Sequence, residues 1–243
     1  MKDSYTVMPQ ETADIYERLN KKSILAPFVL IGGTALSLHL GHRVSEDLDF
    51  ITHLPGLPRS VITALIDDLK NEGFGVRQSD EHKAHDEFLN AGMDLHDHNQ
   101  NLIIDNKVKI TFFTADSTHR NVLAPASKNA DRFRIATMEE IRGLKALVAT
   151  SRSTSRDWFD LYILSKEHGF GLPQWKEVYQ KAGLSDYHFE NAVNRICSGK
   201  LPSDDPAFQS LLPESPNVEE ISAHFQKLRN DYESGLGKKK LST

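Results

Sequence analysis

The chain has 243 residues and a mass of 27.4 kDa, a length that suits one large domain or two small ones. Its hydrophobic fraction of 39% and charged fraction of 26% exclude a disordered chain, which lacks the apolar surface needed to offset the entropy of ordering. A net charge of -5 and a pI near 6.1 argue against a general nucleic-acid coat protein, although a local basic patch on an acidic protein is compatible with RNA binding.

The cysteine content and the length of the apolar segments limit the possible cellular location and the possible kinds of metal site. Cys197 is the only cysteine, which excludes an intrachain disulfide and a zinc cage built from thiolates. No apolar run approaches the roughly 20 residues of a membrane helix, and the N-terminal segment is too polar for a secretory signal. We therefore expect a cytoplasmic protein that has no membrane partner.

The first half of the chain alternates helix-like and strand-like segments. Ile15 and Leu19 lie four residues apart in an amphipathic segment, whereas 28–31 is a short continuous apolar run typical of a buried strand. The predicted elements in chain order are a helix over 11–22, a strand over 28–31, a helix over 35–40, a strand over 47–52, a helix over 61–73, a strand from 74, and a hairpin over 101–113 that turns at Asp105-Asn106.

The second half has a different character. The polar stretch 119–134 contains Pro125 and no periodicity, so we interpret it as a linker between a mixed α/β domain at 1–124 and a helical domain at 125–243. Together these patterns predict an α+β protein. The helices predicted for the second domain cover 137–150, 156–166, 176–180, 187–196 and 218–232.

The stretch from Phe28 to Phe50, FVLIGGTALSLHLGHRVSEDLDF, contains the pattern that suggests chemistry. A strand runs into Gly32-Gly33, where bare backbone lets a ligand approach closely, and a helix begins at once, so its unpaired N–H groups point to the same place. Strand, glycine pair and helix N-terminus together predict a phosphate site. The glycines alone are also compatible with a simple tight turn.

Asp47 and Asp49 lie two residues apart on a predicted strand, which places both carboxylates on one side of it. Two such carboxylates are costly unless something neutralises them, and a divalent cation is the usual partner. A phosphate-binding turn beside a metal-binding pair is what a nucleoside triphosphate with magnesium requires. Ser45 either belongs to this site or caps a local turn.

The spacing from Ile31-Gly32-Gly33 to Asp47-Leu48-Asp49 resembles the signature of the nucleotidyltransferase superfamily. The fuller sequence resembles the AbiEii/AbiGii abortive-infection toxin family, over 28–52, 108–113 and 137–164. The resemblance implies a nucleotidyltransferase-like mixed β-sheet domain with flanking helices, followed by a C-terminal helical domain that closes the cleft.

The resemblance also implies an activity and partners. The expected reaction transfers a nucleoside monophosphate from a nucleoside triphosphate, with Mg²⁺ or Mn²⁺, onto RNA such as a tRNA. The expected setting is a type IV toxin–antitoxin or phage-defence system with a cognate antitoxin. By the resemblance, the triphosphate would be held by Gly32, Gly33, Thr34, Ser45 and Lys145, the metal by Asp47 and Asp49, and the catalytic site completed by Asp157 or Asp160.

Two of these assignments have structural alternatives. Lys145 follows Ile141 by four residues on the buried stripe of a predicted helix, and an inward lysine needs a carboxylate or a phosphate partner. It therefore either contacts nucleotide or forms a salt bridge with Asp160. Asp157 follows Thr154 by three residues, so it either completes a capping box or contributes to the site.

The strand expected to carry a third carboxylate has Thr111 at that position. A neutral hydroxyl neither adds charge to a metal site nor serves as a base. Either the acid comes from Asp157 or Asp160, or the register differs and Asp105 or Asp116 serves instead, or the protein has weak or no activity.

Two other functions are alternatives, and Thr111 favours the first of them. The first is a catalytically weak or inactive nucleotidyltransferase-fold protein that acts as a nucleotide- or antitoxin-binding module. The second is an enzyme that modifies a protein or a small molecule rather than RNA.

Overall fold

A computed structural model describes residues 1–79, 88–90, 92–127, 130–152, 154–201 and 216–241. The chain forms two compact units, Met1–Thr137 and Met138–Thr243. The domain boundary was predicted after residue 124. In the structure, the strand Arg134–Ile135 pairs with the strand Phe28–Ile31, so these later residues belong to the first unit.

Within the described residues, six strands form one mixed sheet: β1 (Phe28–Ile31), β2 (Leu48–Thr52), β3 (Val76–Gln78), β4 (Asn99–Ile104), β5 (Val108–Thr114) and β6 (Arg134–Ile135). Their order in the sheet is β3-β4-β5-β2-β1-β6. β1 pairs antiparallel with β2 and parallel with β6. β5 pairs parallel with β2 and antiparallel with β4, which in turn pairs antiparallel with β3.

The helices of the first unit are α1 (Ser4–Val7), α2 (Gln10–Leu19), α3 (Gly32–Leu40), α4 (Arg59–Asn71) and α5 (Ser117–Val122). α5 and β6 both overlap the stretch 119–134 that was predicted to be a linker, and that prediction was wrong for the overlapping residues. Each element is too short to show a periodicity. α5 begins at a helix cap, because the Asp116 carboxylate accepts a hydrogen bond from the His119 backbone N–H at 2.8 Å.

The two faces of the sheet differ in burial along β4 and β5. Phe50 and Phe112 are fully buried on one face and stack with their ring centroids 5.3 Å apart. Side chains alternate along a strand, so the neighbouring positions project from the opposite face. We call that second face the site face; it carries Asp49, Thr111 and Asn101, which are only partly buried.

The predicted hairpin is confirmed in β4 and β5. Its turn residues, Asp105 and Asn106, have φ values of 50° and 57°. Left-handed backbone at both positions matches the twist of the flanking strands, and Asp and Asn tolerate it better than other residues with side chains.

The second unit is helical, as predicted, which together with the sheet confirms the α+β class. Its core includes Trp175 and Phe225, whose ring centroids lie 5.4 Å apart. In the described part of the chain no helix is both long and apolar enough to span a membrane. The helices are α6 (Met138–Ser151), α7 (Ser155–His168), α8 (Leu172–Lys181), α9 (Asp186–Ser198) and α10 (Val218–Leu241).

Candidate active site

The turn from β1 into α3 brings the first glycine against an aspartate. Gly32 has a φ of +75°, a left-handed conformation that residues with a side chain rarely adopt. A Cβ atom at Gly32 would lie 2.7 Å from Oδ2 of Asp49, closer than real Cβ contacts allow. Glycine is therefore required both by the backbone angle and by the approach of the Asp49 carboxylate.

The second glycine is required by a different side chain. A Cβ atom at Gly33 would collide with the guanidinium group of Arg43 and lie 3.1 Å from Oγ of Ser45. Arg43 is only 5% exposed and donates a hydrogen bond to the carbonyl of Val44 at 3.0 Å. The diglycine thus provides space for Asp49 on one side and for Arg43 on the other.

Sequence reasoning did not single out Arg43. The signal was weak, because an arginine in the polar segment between a helix and a strand resembles a solvated side chain. In the structure, the buried guanidinium group of Arg43 occupies the space left by the missing side chain of Gly33. This contact joins two separate segments of the chain, so the sequence alone does not reveal it.

Thr34 and Ser45 support the same segment. The Thr34 hydroxyl is hydrogen bonded to the carbonyl oxygen of Asp47 and, at 2.9 Å, to Oγ of Ser45. A hydroxyl has one proton and a carbonyl only accepts, so Thr34 donates to Asp47. Both hydroxyl groups are buried, and this arrangement fixes the backbone immediately before Asp49.

The N-terminal helices hold this segment in place. The backbone N–H of Ser45 donates to the carbonyl of Val7 at 2.9 Å, and the Thr12 hydroxyl donates to the carbonyl of Glu46 at 3.1 Å. The predicted site residues Gly32, Gly33, Thr34, Ser45, Asp47 and Asp49 are therefore all in one region of the first unit.

The strand register determines what lies beside Asp49. Asp49 is paired with Ile31 on β1 and with Thr111 on β5, and Thr111 is paired with Asn101 on β4. Paired residues project from the same face, so Thr111 is the direct neighbour of Asp49 on the site face. The predicted position of Thr111 is confirmed.

The two alternative acids from a shifted register serve the backbone elsewhere. Asp105 accepts a hydrogen bond from the backbone N–H of Gly75 at 2.7 Å, at the turn between β4 and β5. Asp116 caps α5 through His119. Neither aspartate is on the strand position beside Asp49.

In the second unit, the predicted residues of α6 and α7 form a buried ion network. Nζ of Lys145 lies 2.8 Å from Oδ1 of Asp157 and 2.6 Å from Oδ2 of Asp160. The side chains of all three residues are almost completely buried. The salt bridge between Lys145 and Asp160, which the sequence offered as the structural alternative to a nucleotide contact, is thus present.

Asp157 has further partners. Its Oδ2 lies 2.8 Å from Nε of Arg152 and accepts a hydrogen bond from the Thr154 hydroxyl at 2.7 Å, and Thr154 caps α7. Burial raises the pKa of Asp157, but the charges on Lys145 and Arg152, with these hydrogen bonds, lower it overall to about 2. A proton acceptor with this pKa is a weak base at neutral pH.

The carboxylates of the first unit fit a hard divalent cation. Mg²⁺ and Mn²⁺ prefer oxygen ligands, and Mg²⁺ commonly uses one or two carboxylates together with water and substrate phosphates. Asp47 and Asp49 are half-exposed. Because Gly32 has no Cβ atom, the Asp49 carboxylate can lie close to the start of α3. Across the described ranges, no cluster of three or more His, Cys, Asp or Glu side chains is arranged to bind a metal.

The mixed sheet and the strand–diglycine–helix turn define a nucleotidyltransferase-like α+β protein. The family described as "Nucleotidyl transferase AbiEii toxin, Type IV TA system" matches residues 14–240. The chain therefore belongs to this family of nucleotidyltransferase toxins of type IV toxin–antitoxin systems, as the resemblance predicted.

Similar proteins span nearly the whole chain. An uncharacterised protein of Aquifex aeolicus is 25% identical over 228 residues, which cover 93% of this chain and 97% of that protein. The crystal structure of JHP933 from Helicobacter pylori has a similar fold, with a TM-score of 0.52 at 19% identity, covering 96% of this chain and 94% of that one. The nucleotidyltransferase toxin MenT4 of Mycobacterium tuberculosis has a TM-score of 0.49 at 13% identity, covering 94% and 86% of the two chains.

Proposed function

We propose that this protein transfers a nucleoside monophosphate from a nucleoside triphosphate to RNA, with tRNA as a candidate acceptor. The observation that carries the proposal is the approach of the Asp49 carboxylate to left-handed Gly32 at the start of α3. A carboxylate beside a helix N-terminus is where a metal and a triphosphate can be held together.

The start of α3 provides the phosphate-binding part of the site. Ile31 precedes this helix and offers no side-chain cap, so the first N–H groups are available to anionic oxygens. Gly32 and Gly33 let phosphates approach the backbone closely. Thr34 and Ser45 contribute by holding the backbone at Asp47.

Asp47 and Asp49 are the proposed ligands of Mg²⁺ or Mn²⁺. When bound, the cation supplies charge neutralisation at the α-phosphate and the leaving pyrophosphate. An acceptor hydroxyl attacks the α-phosphorus and the bond to pyrophosphate breaks. The proton of that hydroxyl passes to water, because Thr111, the neighbour of Asp49 on β5, is not a base.

The contacts of Lys145 favour its structural role, and its proposed contact with nucleotide phosphate stays a prediction. A lysine held by Asp157 and Asp160 is charged and rigidly placed. Its two roles differ in what they predict: a structural role affects the free energy of unfolding, whereas a phosphate contact affects the KM for the nucleotide as well.

Thr111 favours a second candidate function, that of a nucleotide- or antitoxin-binding module with little or no catalysis. The register places this neutral hydroxyl beside Asp49, at the expected position of the third carboxylate. Such a protein would bind a triphosphate with magnesium but transfer nothing to RNA or protein.

A transfer assay with each of the four radiolabelled triphosphates and total RNA tests the proposal. We expect labelling by the wild type and loss of at least about a hundredfold with Asp49→Ala, because metal ligands act in the transition state. Asp67→Ala, at an exposed position on α4, is the matched control and should label RNA normally. Thermal unfolding should show that Asp49→Ala remains folded.

The outcomes separate the two functions. Equal labelling by Asp49→Ala and the wild type would show that the metal assignment is wrong. Triphosphate binding by calorimetry without any transfer would favour the binding module.

The family setting leads to three further proposals: a cognate antitoxin as partner, a role in phage defence, and a cytoplasmic location. Co-expression with the product of an adjacent gene should relieve growth arrest caused by this protein. No relief by that product would contradict the antitoxin assignment.

A further inference from the structure

The site face extends beyond Asp49 across two more strands. On β5, Lys109, Thr111 and Phe113 alternate with buried residues and therefore project from this face together. Asn101 is paired with Thr111, and Asn99 is paired with Phe113. β5 thus presents a cation, a hydroxyl and an aromatic ring in a line beside the candidate site.

A second cation continues the line toward the edge of the sheet. Ile103 is paired with Lys109 on one side and with Arg77 of β3 on the other, so all three project from the site face. Arg77 and Lys109 are exposed. Strand spacing places the Cα atom of Lys109 about 8 Å from that of Asp49.

The positive charges of Lys109 and Arg77 are available to a ligand. Within the part of the chain that the structure describes, Lys109 forms no ion pair, whereas nearby Lys107 lies 2.6 Å from Glu11. Arg77 donates to the side-chain amide oxygen of Asn106 at 3.2 Å and retains its positive charge. Both cations therefore contribute positive potential to a protein whose net charge is -5.

The polar and aromatic side chains suit nucleotides rather than a protein surface. The Asn101 amide donates to Oδ1 of Asn99 at 3.1 Å, so the two amides form a connected polar pair. Phe113 is partly exposed, and its ring makes a T-shaped contact with the His119 ring at a centroid distance of 6.1 Å. Cations that follow a phosphate backbone, together with an aromatic ring for base stacking on an exposed sheet, are typical of single-strand binding.

We propose that this strip, formed by Arg77, Lys109, Phe113, Asn99 and Asn101, binds the single-stranded end of a nucleic-acid acceptor beside Asp49. The inference rests on the proposed function, since it supplies the acceptor for the same site. Lys109 and Arg77 contact phosphates, Phe113 stacks on a base, and the two asparagines contact sugars or base edges.

Fluorescence anisotropy with a 5′-labelled single-stranded oligoribonucleotide, in the absence of triphosphate, tests the strip. We expect the double variant Lys109→Glu/Arg77→Glu to raise the Kd about tenfold and to reduce the slope of log Kd against log salt by about 1.4. Phe113→Leu keeps apolar volume but removes the ring, so it should raise the Kd with little change in that slope. Lys70→Glu, on the exposed side of α4, is the control for charge reversal alone.

The results distinguish this inference from the proposed function. If the wild type labels RNA but the double variant binds the oligonucleotide within about twofold of the wild type, the proposed binding strip is wrong and the proposed transferase activity stands. If binding depends on the strip but no nucleoside monophosphate is transferred to RNA, the binding strip stands and the proposed transferase activity is wrong. Equal affinity for a blunt duplex would overturn the assignment to a single strand.

Discussion

Two pairs of aspartates in this protein have opposite surroundings. Asp47 and Asp49 in the first unit are half-exposed, and the second of them lies against the backbone of Gly32. Asp157 and Asp160 in the second unit are buried and share the ammonium group of Lys145. The first pair is partly exposed, whereas the second pair is buried around a cation that the chain supplies.

The comparison shows that spacing alone does not identify a ligand site. Residues two apart on a strand and three apart on a helix both place their carboxylates on one side. What differs is burial: Lys145 is enclosed with two acids inside the second unit, while Asp49 is partly exposed on the site face, where Thr111 is its neighbour on β5. The predictions below test this difference.

The largest expected effect follows from removal of the shared ammonium group. Lys145→Met removes the ammonium group that the buried Asp157 and Asp160 share, and we expect the free energy of unfolding to fall by about 3–5 kcal/mol. Urea unfolding would measure this loss of stability. Lys181→Met, at an exposed position at the end of α8, is the control. A loss below about 1 kcal/mol would mean that the ion network is not structural.

The next effect concerns the crowding at Gly33. Gly33→Ala should destabilise the protein by up to about 3 kcal/mol, because its new methyl group meets the buried guanidinium of Arg43. In the double variant Gly33→Ala/Arg43→Ala that clash is gone, so the two changes should cost less together than the sum of the single changes.

Gly235 of α10 is the matched control for the alanine substitution. A Cβ at that position meets nothing within 4 Å, so Gly235→Ala should leave stability unchanged or raise it by up to about 1 kcal/mol. Strict additivity of Gly33→Ala and Arg43→Ala in unfolding experiments would contradict the contact.

A third effect is the contribution of Asp157 to stability as the pH changes. Its pKa is lowered from 3.8 to about 2 in the folded protein, so its stabilisation is complete above about pH 4 and is lost as the pH falls toward 2. The difference amounts to about 2 kcal/mol. Unfolding of the wild type and of Asp157→Asn between pH 2 and 6 should show the two curves converging in acid, and parallel curves would contradict the assignment.

The smallest expected effect tests the site face directly. Thr111→Asp places a third carboxylate beside Asp49, so without metal we expect a loss of up to about 1 kcal/mol from like charges on paired strands. Mg²⁺ should restore this stability because it binds the enlarged donor set. Thr111→Asn is the neutral control, and an equal response of both variants to Mg²⁺ would argue against a metal site here.

Local patterns predicted much of the fold. The apolar run at 28–31, the turn at Asp105-Asn106 and the α6 stripe containing Lys145 each identify an element from residues a few positions apart. β6 and α5 were not predicted, because elements of two and six residues are too short to show a hydrophobic period.

The diglycine turn and the spacing of the two aspartates could be recognised in the sequence, because backbone freedom and the alternation of a strand act over neighbouring residues. The position of Arg43 against Gly33, the register that places Thr111 beside Asp49, and the capture of Lys145 by two acids depend on contacts between distant segments. Packing in three dimensions sets those contacts, since burial and counter-charge are properties of the surroundings of a residue and not of its place in the chain.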